Sequence, residues 1–216
     1  MNITNDIVTD YLNFYYKPLT AQLMNLREKA EKERVPIILR ETESFLRVLL
    51  GIVKPKRILE IGCAVGYSAM FFAEATKGKV VTIEKSEEMY REALSNISKM
   101  GYSDYVSAYL GDGEEVIKSL IEKNTPAFDI IFIDAAKSHY KRFFEASRGL
   151  CTRDTIIISD NVLFKGRTAS DIYDPTGKYK TNIKKMREYV DFISHDSSLD
   201  NVIISCGDGL SITRFI

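Results

Sequence analysis

The sequence is short of the residues that build many catalytic and structural sites. It has 2 histidines in 216 residues, His139 and His195, which all but excludes a zinc site or a catalytic triad resting on several histidines. Its 3 cysteines, Cys63, Cys151 and Cys206, are an odd number without metal-type spacing. A disulfide framework is therefore not expected, and a reducing cytoplasm is. No apolar run approaches the roughly 20 residues that span a bilayer, so no membrane partner is expected. The opening stretch MNITNDIVTDY carries neither a basic segment nor an apolar one, which argues against a secretion signal. There is no internal repeat and no low-complexity tract. There is also no excess charge: 30 Lys and Arg face 30 Asp and Glu. A protein that coats nucleic acid would be strongly basic.

What is present is an ordinary globular composition, 45% hydrophobic, at a length that suits one α/β domain. Residues 1–54 read as helical. Aromatics run from Asp10 to Tyr16, Leu19, Leu23 and Leu26 follow at helical spacing, and Pro36 is expected to end that stretch. A further helix is expected over Glu41–Ile52. Over residues 55–216 short apolar runs alternate with helical patterns. RILEIG, KVVTIE, YVSAYLGD, FDIIFID and TIIISDN read as strands. Tyr67–Thr76, Glu87–Met100, Glu114–Glu122, Tyr140–Leu150 and Thr181–Ser194 read as helices. Strand–helix alternation predicts βαβ units and a parallel sheet covered on both faces. NVIISC and GLSITRFI follow with no helix between them, as a hairpin about Gly207-Asp208-Gly209. A seven-stranded, mostly parallel sheet closed by an antiparallel hairpin is the Rossmann-like outline of a class I methyltransferase.

Ligands of such sheets sit at the carboxyl ends of the strands. The first strand runs into Glu60-Ile61-Gly62-Cys63-Ala64-Val65-Gly66-Tyr67-Ser68, where the glycine spacing is GxxxG and not GxGxxG. The glycine that makes room for a pyrophosphate is missing, which disfavours an NAD oxidoreductase. Glu60 and Val65 beside the loop suit a phosphate-free ligand with a sulfonium. Glu84 ends the second strand, where an acid commonly holds ribose hydroxyls. Gly111-Asp112-Gly113 ends the third, a place suited to an adenine edge. Each glycine alone is also compatible with a plain turn; together they point to S-adenosylmethionine (SAM). Asp134 ends the fourth strand and Asp160-Asn161 the fifth. These oxygen donors suit Mg²⁺, Mn²⁺ or Ca²⁺, although Asp-Asn also simply starts turns. Lys137 follows Asp134 by three residues, and a lysine beside a divalent cation can serve as a base; an ordinary surface lysine is the plainer alternative. His139 is expected at a helix start on the surface, and Cys63 as a small loop filler.

Together these residues resemble the cation-dependent O-methyltransferases, the family of catechol and caffeoyl-CoA O-methyltransferases. The resemblance runs from about Val35 onward through ILEIGCAVGYSA, VTIEKS, FDIIFIDAAKSHY, IISDNVLFKG and CGDGLSI. It implies Asp134, Asp160 and Asn161 as metal ligands and Lys137 as general base. It adds Ile38, Ser68 and Gly113 to Gly62 and Glu84 as SAM contacts, and Asp134 touches both groups. VPI before the third helix, DAAK and SDNVLFKG most resemble the bacterial tRNA 5-hydroxyuridine methyltransferases. Catechol enzymes carry bulky aromatics where this chain has Ala135 and Ala136, and plant enzymes carry a second Asp at Ala136. The resemblance also implies a homodimer, with the N-terminal helices as the candidate pairing elements.

A tRNA acceptor sharpens the zero charge. Between Lys165 and Arg187 there are seven basic residues and two acids, a local +5 against −5 elsewhere. Lys165 and Arg167, just past Asp160-Asn161, are the candidate substrate contacts, and Tyr173 and Tyr179 are placed to stack on bases of an anticodon loop. Lys184, Lys185 and Arg187 fit a solvated helix face equally well. The alternatives are a small catechol-like or phenolic acceptor and a catalytically silent SAM- or RNA-binding module.

Overall fold

The computed structural model describes residues 5–216. The first four residues, on which part of the signal-peptide reading rests, lie outside the described residues. Three helices come first: α1 (Asp6–Phe14), α2 (Ala21–Glu33) and α3 (Arg40–Val53). Then β1 (Arg57–Ile61), α4 (Tyr67–Thr76), β2 (Lys79–Glu84), α5 (Glu87–Lys99), β3 (Val106–Leu110), α6 (Gly113–Glu122) and β4 (Ile130–Ile133) alternate. After them come α7 (Tyr140–Ser147), β5 (Ile156–Ser159), α8 (Lys180–His195), β6 (Leu199–Ile204) and β7 (Leu210–Phe215). Among the described residues no helix is long and apolar enough to cross a membrane.

The seven strands form one sheet in the order β3-β2-β1-β4-β5-β7-β6. β7 is antiparallel to both its neighbours and the other pairings are parallel. This is the class I methyltransferase architecture expected from the alternation of runs. β1 sits where the strand order reverses, with β2 on one side and β4 on the other, and this opens a crevice at their carboxyl ends. Successive residues of β1 go to opposite faces: Ile58 joins the core beneath α2, α3 and α4, and Leu59 and Ile61 join the core beneath α6, α7 and α8. Glu60 shares the face of Ile58.

Local chemistry moves several boundaries. α1 starts at Asp6 because the Asn5 side chain caps the Ile7 amide. Thr20 caps α2 through the Leu23 amide, so Leu19 stands before that helix. α2 stops at Glu33, not at Pro36: Arg34 turns left-handed with φ 60°, and the Arg34 and Val35 amides bond back to Ala30 and Glu31 carbonyls. Residues 35–39 are thereby released as an irregular segment before α3. The helix read as Tyr140–Leu150 ends at Ser147 and tightens into a 3₁₀ turn over Arg148–Leu150.

Candidate active site

The crevice floor is the loop between β1 and α4. Gly62 has φ 104°, and a Cβ there would collide with the Asp134 carbonyl oxygen where the ends of β1 and β4 converge. Gly66, at φ 84°, opens α4. Glu84, at the end of β2, clasps this loop. Its Oε2 accepts the Cys63 and Ala64 amides at 3.2 and 2.8 Å, and its Oε1 accepts the Ser86 amide at 2.8 Å. The acid expected to face ribose hydroxyls thus also shapes the turn that borders it.

A cavity of about 550 Å³ stands over this floor. Pro36, Ile37 and Ile38 wall one side; Ser68, on the first turn of α4, lies beside the Gly62–Ala64 floor. Asp112 and Gly113 border it at the end of β3, and Asp134, Ala135, Ala136, Lys137 and Asn161 at its open edge. Asp112 caps α6 through the Glu114 amide and pairs with Lys85 at 3.2 Å and Arg142 at 3.0 Å. Burial opposes its charge, yet these partners hold its carboxyl below the ordinary range.

Two sequence expectations change here. Glu60 does not reach the cavity wall. The period-2 alternation of β1 sends its side chain under α4, where it is fully buried with Oε2 receiving the Thr82 hydroxyl at 2.5 Å and Oε1 without a partner. Burial pushes its carboxyl up to about 7. His139 is not a plain surface residue. It lines the cavity and meets Phe143 edge-on at 5.8 Å, and burial together with Arg142 depresses its imidazolium. Cys63 is buried and also borders the cavity.

The open edge carries the acids. Asp134 follows β4, and Asp160-Asn161 follows β5. Lys137 Nζ donates to Asn161 Oδ1 at 2.7 Å and lies 3.6 Å from Asp134 Oδ1. It also donates to the Tyr140 hydroxyl at 2.9 Å, which in turn donates to the Asp160 carbonyl at 2.8 Å. Tyr140 was not picked out by sequence reading; its signal was its place three residues after Lys137 on one helical face. Asn161 takes φ 58°, and its amide bonds Asp160 Oδ1 at 2.6 Å. Asp160 Oδ2 is buried with no hydrogen-bond partner among the described residues. Burial first, and the neighbouring Asp134 second, raise the Asp160 carboxyl well above its ordinary range. Among the described residues no three His, Cys, Asp or Glu side chains converge as a metal-holding group. The set drawn from the sequence is two carboxylates and the Asn161 amide.

Lys165 and Arg167 lie on the loop beyond Asn161 and are not part of the cavity wall. The Lys165 amide bonds Asp208 Oδ1 in the β6–β7 turn. Arg167 stacks over Tyr179 at 4.5 Å and Phe164 at 5.1 Å. Tyr179 is therefore engaged within the protein. Arg187 is tied to Asp171 and to the Thr168 carbonyl, and Lys185 to Glu188. Lys165, Lys178, Lys180 and Lys184 make no ion pair among the described residues.

Residues 14–216 match the family described as O-methyltransferase. The chain is 30% identical to a caffeoyl-CoA O-methyltransferase of Populus kitakamiensis over 204 residues, 89% of this chain and 86% of that one. It superposes on a Staphylococcus aureus crystal structure assigned to a caffeoyl-CoA O-methyltransferase with a TM-score of 0.90 at 30% identity, covering 97% and 100% of the two chains. An S-adenosylhomocysteine (SAH)-bound methyltransferase of Podospora anserina matches with a TM-score of 0.86 at 27% identity, covering 98% and 94%. A crevice at the sheet's switch point, floored by a glycine turn and edged by two aspartates and a lysine, thus sits in a chain that belongs to the O-methyltransferase family.

Proposed function

We propose that this protein is a SAM-dependent O-methyltransferase whose acceptor presents two adjacent oxygens, and that this acceptor is wobble 5-hydroxyuridine in a tRNA anticodon loop, converted to 5-methoxyuridine. The observation that carries the chemistry is the meeting of Lys137 with Asp134 and Asn161 at the mouth of the cavity. The Gly62 loop and Glu84 lie where the amino-acid and ribose parts of SAM would be held, with Ile38, Ser68 and Gly113 on the remaining walls.

A divalent cation, Mg²⁺ or else Mn²⁺ or Ca²⁺, fits Asp134, Asp160 and Asn161. The donors are hard oxygens, two carboxylates repel each other, and the buried Asp160 Oδ2 has no hydrogen-bond partner among the described residues. When bound, such a cation stabilises negative charge on a chelating acceptor oxygen. The protein's own part is proton handling and alignment. Lys137 Nζ takes or shares the acceptor hydroxyl's proton, and Asp134, Asn161 and Tyr140 hold that nitrogen in place. The freed oxygen then faces the methyl group of the donor bound behind it, so that positioning lowers the remaining barrier.

The tRNA reading is supported by the DAAK and SDNVLFKG resemblance and by Lys165, Lys178, Lys180 and Lys184 in the segment after Asn161, which make no ion pair among the described residues. With the family's chemistry go a cytoplasmic location, in line with three free cysteines, and a homodimer. A small catechol-like acceptor is favoured instead by the identity to the Populus enzyme over most of both chains. Two assays separate them. Purified protein with SAM and Mg²⁺ is expected to form 5-methoxyuridine on tRNA containing 5-hydroxyuridine, read by nucleoside mass spectrometry. Tenfold or greater preference for caffeic acid or catechol under the same conditions would reject tRNA as the acceptor. A deletion strain is expected to lose 5-methoxyuridine and accumulate 5-hydroxyuridine.

A further inference from the structure

The cavity has one thin wall. Pro36, Ile37 and Ile38 form it, and a second cavity of about 520 Å³ lies behind the same three residues. Among the described residues no backbone–backbone hydrogen bond holds residues 36–38. Ile38 packs into the core, and among the described residues one side-chain hydrogen bond fixes the strap's backbone: Arg27 of α2, 1% exposed, donates from Nη2 to the Ile38 carbonyl at 2.9 Å.

Arg27 reaches further. The same Nη2 donates to Glu43 Oε2 of α3 at 2.5 Å, and Nε donates to the Tyr67 hydroxyl at 3.1 Å. That hydroxyl donates to Glu43 Oε2 at 2.6 Å, and the Tyr16 hydroxyl donates to Glu43 Oε1 at 2.7 Å. The guanidinium lies 4.6 Å from the Tyr67 ring centre. Tyr67 is the first residue of α4, between Gly66 and the cavity-lining Ser68. One buried guanidinium therefore grips both the strap and the opposite wall's first turn.

We propose that Arg27 is a positioning residue for the methyl-donor cavity: through the Ile38 carbonyl, and through Glu43 and the Tyr67 hydroxyl, it sets the separation of the strap from α4. The proposal rests on the reading of this cavity as the SAM site. Arg27 touches neither donor nor acceptor, and its effect should appear in donor affinity.

Arg27→Met alone strands a buried carboxylate, so the informative variant is Arg27→Met with Glu43→Met, which removes both charges together. SAH binding by titration calorimetry is expected to weaken at least tenfold in the double variant, with a melting temperature only a few degrees below that of the unaltered chain. KM for SAM should rise by a similar factor, and KM for the acceptor much less; a general loosening of the fold would raise both. If the double variant fails to fold, Arg27→Lys takes its place. It keeps the charge beside Glu43, but one ammonium cannot reproduce the fork to Ile38, and it should weaken SAH binding severalfold. SAH affinity within twofold of the unaltered chain, in whichever variant folds, overturns the proposal alone. Failure of the unaltered chain to bind SAH removes the SAM reading and the proposal with it.

Discussion

Two charge clusters, one buried around Arg27 and Glu43 and one partly exposed around Asp134 and Asp160, are built to opposite plans. Around Arg27 and Glu43 each charge meets an opposite one: Glu43 accepts from Arg27, Tyr16 and Tyr67, and the guanidinium spends itself on Glu43, Tyr67, Ile38 and Glu31. Burial works against the Arg27 charge, yet attraction to Tyr67 and Glu43 holds its pKa above the ordinary value. Around Asp134 and Asp160 the acids outnumber the base, and a buried carboxylate oxygen is left over. In the closed cluster each buried charge is already matched. The open one keeps an excess of acid and an unpaired oxygen, which the proposed cation would satisfy.

That contrast can be attacked from either side. The largest effect is expected at the open cluster. Lys137→Ala should lower kcat about 10²- to 10⁴-fold, the range for loss of a general base, while SAH affinity by calorimetry stays unchanged. Undiminished turnover would remove Lys137 from the chemistry. At the closed cluster, Arg27→Met alone should destabilise by about 3–5 kcal/mol in urea unfolding, because Glu43 is left buried and unpaired. Recovery of most of that loss on adding Glu43→Met would identify the stranded charge as its cause.

Glu60 is a third case, a lone buried acid. Its folded pKa of about 7 lies above its ordinary 4.5, so the folded state binds the proton more tightly than the unfolded chain. Its contribution is intact below about 4.5 and is lost as pH rises through about 7. Glu60→Gln should therefore stabilise the protein by about 3 kcal/mol at pH 8 relative to the unaltered chain, and little at pH 4. A parallel pair of stability–pH curves would contradict the buried charge. The smallest effect is expected from Asp160→Asn. In chelating buffer it should melt within a few degrees of the unaltered chain or above it, since Asn keeps the acceptor for the Asn161 amide and sheds a repelled charge. A marked fall in melting temperature would mean that the open cluster is structural after all.

The sheet was legible in the sequence because buried parallel strands are near-continuous apolar runs, as in Ile130–Ile133 and Ile156–Ser159. The acidic edge was legible for a related reason. Asp134, Lys137 and Asp160-Asn161 each stand at or just past a strand end, and topology brings strand ends together. The closed cluster was not legible. Arg27, Glu43 and Tyr67 are separated by 16 and 24 residues with no shared periodicity, and Arg27 reads as one more charge in LREKAEKER. Glu60 misled for a local reason: next to a ligand loop in sequence, it points to the opposite face because strand side chains alternate. Pro36 also misled, because the left-handed Arg34 had already ended the helix and Pro36 instead stiffens the strap.

The antiparallel strand β7 carries a consequence for how the chain is made. It pairs with β5 along Ile156–Ser159, yet fifty residues separate the two in sequence. During synthesis, the strand that delivers Asp160 and Asn161 must wait with a bare edge until Leu210–Phe215 have emerged. In that interval the nascent sheet is a template for any passing extended segment. β5 is only four residues long, which limits the time-averaged hazard without removing it.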